Sequence, residues 1–140
     1  MASVFTRILD GAIPGRFVWK DEHCFAILTI NPIRPGHAMV IPRREIDHWL
    51  DVPPDLSHRL LDVAQTIGRA QMQAFRPERV GLTIVGLEVR HVHLHVIPID
   101  SIADMDFARA DRSPDPRALD DAAARLRAAL RELGARHVAG

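Results

Sequence analysis

The 140-residue sequence has a single cysteine and no excess of charge of either sign. Cys24 alone forms neither an intramolecular disulfide nor a thiolate cluster for zinc. Eighteen basic and eighteen acidic side chains give a net charge of zero, so the whole chain has no electrostatic attraction to nucleic acid or to an anionic membrane. We expect neither as a partner, and any anion that binds must be held by a local site.

Long apolar runs are absent as well. No segment approaches the length of a membrane span, and the first residues, Met1-Ala-Ser-Val-Phe-Thr-Arg, lack the apolar core of a secretory signal. We therefore expect a cytoplasmic protein. The length and the 47% hydrophobic content are typical of one globular domain over residues 1–140.

Hydrophobic patterning predicts five strands and three helices. Short apolar or alternating runs indicate the strands, and apolar residues at three- and four-residue steps indicate the helices. The predicted strands cover residues 16–20, 23–29, 37–41, 80–85 and 91–97. The predicted helices are a short one capped by Ser3, a long one from 55 to about 75, and a C-terminal one from about 117 to 133. This order predicts an α+β fold in which one long helix crosses a mainly antiparallel sheet.

The most informative segment is His91-Val-His-Leu-His-Val-Ile97. Because side chains alternate along a strand, His91, His93 and His95 share one face, with same-face neighbours roughly 6.5–7 Å apart. Three interpretations compete: a solvated polar face, a metal site, and a site of covalent catalysis. The nitrogen ligands of zinc lie only a little over about 3 Å apart, so a metal would need two neighbouring histidines and further ligands from elsewhere. A neutral imidazole is a competent nucleophile at neutral pH, and two flanking histidines suit a phosphate substrate.

The same segment resembles the His-φ-His-φ-His-φ-φ signature of the histidine triad (HIT) superfamily of nucleotide hydrolases and transferases, in the bacterial type of the Hint- and Fhit-related group. Gly86-Leu-Glu-Val-Arg-His91 is similar to the lead-in of that signature. Pro35-Gly-His-Ala-Met-Val-Ile-Pro42 and Val4-Phe5 with Ile8 are similar to two further family segments. The resemblance covers residues 3–98, and it leaves a C-terminal extension with a helix, 99–140, that shares no motif.

The resemblance implies a HIT-like fold, a homodimer and chemistry through a nucleotidyl-histidine intermediate. His93 would attack the α-phosphorus, His95 would hydrogen-bond the phosphate and assist proton transfer, and His91 would orient the site through its backbone carbonyl. His37 would support His91. The substrate would be a conjugate of a purine nucleotide such as AMP or GMP. No cofactor and no metal would take part in the reaction.

Other residues would bind the nucleotide by the same resemblance. An apolar slot for the base would consist of Phe5, Ile8, Ile27, Ile30 and Met39. Taken by themselves such side chains are ordinary core residues, and for Ile8 and Ile27 core packing stays open.

The sequence departs from the family pattern at several functional positions. Ser3 and Thr6 stand where many relatives carry two zinc-binding cysteines, and Glu45 stands near the position of a further ligand, so we predict no zinc there. Thr29 replaces the carboxylate or amide that binds the ribose.

The lead-in loop departs as well. Leu87 replaces a glutamine, and Glu88 follows it. Among the nucleotide-binding residues Glu88 would repel a phosphate, bind a cationic leaving group or pair with Arg90, and by itself it is equally a solvated loop carboxylate. These changes motivate an alternative to the enzyme hypothesis, a non-catalytic nucleotide-binding or scaffold protein. A metal-dependent hydrolase is a third hypothesis.

Overall fold

A five-stranded antiparallel sheet forms the centre of the protein, in a computed structural model that describes residues 1–140. The strands are β1 (Phe17–Lys20), β2 (Cys24–Leu28), β3 (Ala38–Pro42), β4 (Arg79–Thr83) and β5 (Leu94–Ile99). Their order in the sheet is β1-β2-β3-β5-β4, so β5 lies between β3 and β4, while β1 and β4 form the edges. The α+β fold with a mainly antiparallel sheet is confirmed.

Three α-helices surround the sheet: α1 (Val4–Leu9), α2 (Pro54–Phe75) and α3 (Pro116–Glu132). The Ser3 hydroxyl accepts a hydrogen bond from the Thr6 amide and caps α1 as predicted, and the Asp115 carboxylate caps α3 in the same way. None of the helices combines the length and the apolar composition that crossing a bilayer requires.

The two faces of the sheet bury different clusters. Alternating residues of β2 and β3, such as Ala26 and Val40, face α2 and α3 in the main core. The residues between them face α1 in a smaller cluster, which consists of Phe5, Phe25, Ile27, Met39 and Ile41. Both central strands are therefore buried on both sides, and the smaller cluster forms the floor on which the functional site is built.

The histidine segment differs from the expected strand of residues 91–97. β5 begins only at Leu94, because the Val92 amide donates to the carbonyl of Ile46, 2.8 Å away in the loop after β3, instead of joining the ladder of the sheet. The expected alternation nevertheless holds, since Val92 and Leu94 lie in the main core. The other predicted strand and helix limits differ from the observed ones by one or two residues.

Gln71 connects α2 to the strands that carry the histidines. It is fully buried within the apolar stripe of α2, and its Nε2 donates to the carbonyl oxygens of Gly36, at 2.9 Å, and Val96, at 2.8 Å. Gly36 has φ +88°, and a side chain there would collide with the Phe75 ring. The backbone beside His37 is thus held from two directions.

Candidate active site

A cavity of about 910 Å³ opens beside α1, between the smaller cluster, the 85–89 loop and part of the C-terminal segment. It brings together nearly all the side chains that the sequence singles out. Those that line it are Phe5, Ile8, Ile27, Thr29, Ile30, His37, Met39, Glu88, His93 and His95. His91 is the exception, because it is fully buried behind the cavity wall.

An apolar slot leads away from His93. The Phe5 ring lies edge-on to the His93 ring, with 4.9 Å between the ring centroids. Ile27 and Met39 are buried in the same cluster as Phe5, whereas Ile30 is 69% exposed at the rim. Phe5, Ile27 and Met39 are thus core residues and cavity lining at the same time, and the two interpretations of Ile27 do not exclude each other.

A backbone carbonyl fixes His93 in one tautomer. Its Nδ1 lies 2.8 Å from the carbonyl oxygen of His91, which only accepts, so Nδ1 donates and Nε2 of the neutral ring keeps its lone pair. Burial lowers the pKa of His93 below its usual 6.5, although the His91 carbonyl and the Glu88 carboxylate act in the opposite direction. The ring therefore presents a neutral, nucleophilic nitrogen at neutral pH.

His95 is fixed in the opposite tautomer through His37. The Ile33 amide donates to His37 Nδ1 at 3.2 Å, so His37 carries its proton on Nε2 and donates it to His95 Nδ1 at 2.9 Å. His95 then carries its own proton on Nε2, toward the cavity. Burial and neighbouring imidazoles lower the pKa of His37 to about 4 and that of His95 to about 3, so both rings are neutral at pH 7.

The expected role of His37 as a support for His91 is wrong. His91 has two other partners: its Nε2 lies 2.7 Å from the carbonyl oxygen of Pro42, and its Nδ1 lies 2.6 Å from the Ser3 hydroxyl. Because a carbonyl only accepts, His91 carries the proton on Nε2 and accepts from Ser3 in its neutral form. His37 supports His95 because β3 and β5 are neighbours, with Met39 and His95 opposite each other.

The residues that the resemblance aligns with a zinc site form a hydrogen-bonded cluster. One oxygen of Glu45 accepts from the Ser3 amide and from the Thr6 hydroxyl, each at 2.6 Å. The Ser3 hydroxyl also bonds to His91. The two hydroxyls, the Glu45 oxygen and the imidazole nitrogen are therefore all hydrogen-bonded to other members of the cluster. Hydroxyls are poor zinc ligands beside thiolates, so this set does not fit the metal.

Two side chains near the ribose position are already engaged. The Thr29 hydroxyl accepts from the Asn31 amide at 3.2 Å, and the Asn31 side chain donates to the carbonyl of Asp111 at 3.1 Å. A hydroxyl with one acceptor position in use offers a ribose less than a free carboxylate does.

The loop before the histidines carries an unpaired carboxylate. Glu88 lines the cavity, and its charge acts on His93. The pairing of Glu88 with Arg90 is not what the structure shows: Arg90 lies 3.4 Å from Asp47 instead. Leu87 is 80% exposed and also lines the cavity. The rim beside His93 is therefore apolar and negatively charged.

Sequence reasoning missed the contribution of the C-terminal extension. The Phe107 ring lies edge-on to His95, with 4.7 Å between centroids, and Arg112 and Asp120 also line the cavity. Phe107 and Asp120 match no motif and lie far along the chain, so no sequence signal marked either of them. Gln71 did carry a signal, since it is polar and follows Ile67 at a four-residue step on the apolar stripe of α2.

Comparisons with known proteins identify the family of this chain. The model of the HIT domain matches residues 10–102. An uncharacterized HIT-like protein of Methanocaldococcus jannaschii is 33% identical over 99 residues, which are 68% of this chain and 77% of that protein. The adenosine 5'-monophosphoramidase of Saccharomyces cerevisiae is 28% identical over 98 residues, which are 69% of this chain and 62% of the yeast protein.

A solved structure extends the likeness to the whole chain. The crystal structure of a zinc-bound histidine triad family protein from Mycobacterium smegmatis is 31% identical, with a TM-score of 0.83 over 96% of each chain. The family match, the shared fold and the three histidines lead to one conclusion: this chain belongs to the HIT domain family of nucleotide-binding, hydrolase-type proteins.

Proposed function

We propose that this protein transfers or hydrolyses the nucleotidyl group of a purine nucleotide conjugate through a covalent bond to His93. One observation carries the proposal. The His91 carbonyl holds the proton of His93 on Nδ1, which leaves Nε2 as a nucleophile beside a His95 ring that carries its proton toward the same cavity, with 4.8 Å between the ring centroids.

The first step forms a bond between His93 Nε2 and the α-phosphorus. The bond from phosphorus to the leaving group breaks, and the leaving group departs with the electron pair. It takes the Nε2 proton of a His95 ring that has gained a second proton from solvent on substrate binding, so His95 ends the step neutral. An anionic phosphate in the cavity favours protonated imidazole over neutral imidazole, so substrate binding helps His95 to act as the proton donor.

The second step returns His93 to its starting form. Water, or another acceptor in a transferase, attacks the phosphorus and gives its proton to His95, while the bond to His93 Nε2 breaks. The products are the free nucleotide or its new conjugate. The proton that His95 gains from water in this step replaces the one it gave to the leaving group and returns to solvent on product release. The imidazoles and water therefore close the cycle, and the proposal includes neither a cofactor nor a metal.

Trapping of the intermediate tests the proposal. Mixing the protein with a fluorogenic purine nucleoside phosphoramidate should release the fluorophore and, after an alkaline quench, add one nucleotidyl mass to a peptide that contains His93. We expect His93→Ala to abolish both signals and to leave the melting temperature nearly unchanged, since His93 borders an open cavity. Turnover by His93→Ala at the wild-type rate would overturn the mechanism.

A nucleotide-binding protein without catalysis is the second candidate. It is favoured by the engaged hydroxyl of Thr29 and by Leu87, which offers no hydrogen bond. Equilibrium binding of AMP or GMP with no turnover of any phosphoramidate would support this second candidate over the enzyme.

We further propose a homodimer. The outer edge of β4 has no strand partner within the chain, and an open edge pairs readily with a second copy. Sedimentation at micromolar concentration should give about twice the chain mass, and a monomer would contradict the proposal.

A further inference from the structure

The apolar slot beside His93 ends at a charged pair that no part of the proposed reaction uses. Phe5 contacts His93 at one end of the slot, and Ile8 follows Phe5 one turn later on α1. A Cβ atom at Gly15 would lie only 2.5 Å from Ile8 Cγ2. The backbone of Gly15 and Arg16 therefore closes the slot at the end away from His93.

Arg16 is tied to the slot on its other side as well. Its carbonyl accepts from the Leu28 amide at 3.0 Å, and Leu28 stands between Ile27 of the slot and Thr29 of the ribose position. Arg16 thus lies between the Ile8 side of the slot and the Ile27 side. From there its side chain lines the same cavity as His93.

The Arg16 side chain forms an ion pair with Asp120 of α3. Arg16 Nε donates to Asp120 Oδ1 at 2.7 Å, with the side chains 28% and 69% exposed. Arg16 Nη2 reaches only the Pro116 carbonyl, at 3.5 Å, and Oδ2 of Asp120 has no partner. Both residues line the cavity. The pair therefore presents a free carboxylate oxygen and free guanidinium donors at the far end of the slot.

The edges of the two common purines differ in what they offer such a pair. Guanine carries two adjacent donors, N1–H and N2–H, beside the acceptor O6, whereas adenine carries one donor, N6–H, beside the acceptor N1. A carboxylate accepts two parallel N–H bonds at once, as it does from arginine, and an arginine donates to guanine O6. In the same position adenine would direct the lone pair of N1 at the carboxylate.

We propose that Arg16 and Asp120 form hydrogen bonds with the edge of the base farthest from the phosphate. These bonds make the site selective for guanine over adenine nucleotides. The inference rests on the proposed function, because it takes the phosphate to lie at His93 and the base to lie between Ile8 and Ile27. It assigns a role in substrate choice to α3, which lies outside the residues that match the family model.

Titrations of three nucleotides against three proteins test the proposal. GMP, AMP and IMP are titrated into the wild type, Asp120→Asn and the matched control Asp121→Asn. Asp121 is the next residue of α3, does not line the cavity, and lies 4.0 Å from Arg125. We expect the wild type and the control to bind GMP about tenfold more tightly than AMP, with IMP between them because it lacks the N2 amino group.

The Asp120→Asn variant should lose most of this preference. Its amide directs an N–H group at one of the two guanine donors, so GMP binding weakens, whereas the same N–H group donates to adenine N1, so AMP binding becomes somewhat tighter. Melting curves of both variants check that the fold is intact, and this is expected because both carboxylates lie on the exposed side of α3.

Failure of this proposal and failure of the proposed function give different results. Equal binding of GMP and AMP by the wild type, a preference for AMP, or an unchanged ratio in Asp120→Asn would overturn the base reading while the His93 intermediate still forms. Absence of binding of all three nucleotides would overturn both.

Discussion

The two ends of the cavity are built in different ways. At the histidine end the proton positions start from backbone groups: the carbonyls of Pro42 and His91 and the amide of Ile33 determine the tautomers of His91, His93 and His37, and His37 in turn determines that of His95. At the rim the contact is between side chains, in the pair of Arg16 with Asp120, which are 28% and 69% exposed.

This difference separates reaction type from substrate choice. Hydrogen bonds to buried backbone groups cannot be removed by replacing the side chain of the residue that supplies the group, so the tautomer of the nucleophile His93 depends little on neighbouring side chains. The proton donor His95 depends on one neighbouring side chain, that of His37. Exposed charges contribute less to stability, and they change with a single substitution and with salt. We therefore expect changes at the histidine end to affect turnover and changes at the rim to affect binding.

The largest effect should follow from breaking the contact between His37 and His95. His37→Phe keeps a ring in place but removes the donor to His95 Nδ1, so His95 no longer has its proton fixed toward the cavity. We expect kcat to fall roughly 10- to 100-fold, within the range of general acid–base catalysis, while the Kd for the nucleotide changes little. Steady-state kinetics and equilibrium titration measure the two quantities.

The matched control for this variant is His58→Phe, at an exposed position of α2. It should have wild-type kcat. A variant at His37 that binds the nucleotide poorly but turns over at the wild-type rate would place His37 among the binding residues instead.

The stability of the histidine end should depend on pH. The unfolded chain binds protons at histidine below about pH 6.5, whereas folded His37 and His95 stay neutral down to about 4 and about 3. Their contribution is fully present above pH 6.5 and is lost as the pH falls toward those values, by up to about 1.4 kcal/mol per pH unit for each ring. Urea unfolding at several pH values measures the slope, which should be shallower in His37→Phe; an equal slope in both proteins would contradict this origin.

At the rim, Glu88→Ser should tighten nucleotide binding. The carboxylate lines the cavity without an ion-pair partner, because Arg90 contacts Asp47, and it repels a phosphate dianion. We expect AMP or GMP to bind about three- to tenfold more tightly, and the gain to be larger at low salt than at high salt. Titrations of both proteins at two ionic strengths measure it. Weaker binding by the variant would instead make Glu88 an attractive contact, and would indicate a cationic leaving group.

The smallest effect should come from the hydrogen-bonded cluster of Ser3, Thr6 and Glu45. Glu45 is exposed and holds the first turn of α1 through Ser3 and Thr6, so Glu45→Ala loosens the helix that carries Phe5 and Ile8. We expect KM to rise about two- to fivefold with kcat unchanged, in line with the loss of exposed hydrogen bonds. Glu45→Gln keeps an acceptor and should stay near the wild type. A fall in kcat without a change in KM would show that the cluster acts on His91 and not on the slot.

Local patterns were sufficient to predict the fold, because the helices and strands show clear hydrophobic periodicity and the helices have recognisable capping residues. The apolar stripe of α2 and the cap at Ser3 were both readable in the sequence, and both are present. The limits of β5 were not readable, since they depend on the bond between Val92 and Ile46, residues from separate parts of the chain.

The sequence predicted which residues belong to the candidate site better than it predicted which of them contact each other. The resemblance singled out His37, yet its partner depends on which strand lies beside β3, and a sequence does not show that order. The same holds for Phe107 and Asp120, which reach the cavity only because the C-terminal extension folds back over it. Pairings between distant segments are tertiary information, and a single sequence carries little of it.

The double hydrogen bond of Gln71 has a spectroscopic consequence. Its side-chain amide donates to the carbonyls of Gly36 and Val96, residues that adjoin His37 and His95, and it is shielded from water. Protons held in this way exchange slowly with solvent and should give a resolved pair of NMR signals displaced from those of exposed glutamines. Selective labelling of glutamine nitrogen would then provide a probe, outside the cavity itself, that reports on the two histidines while substrates bind and react.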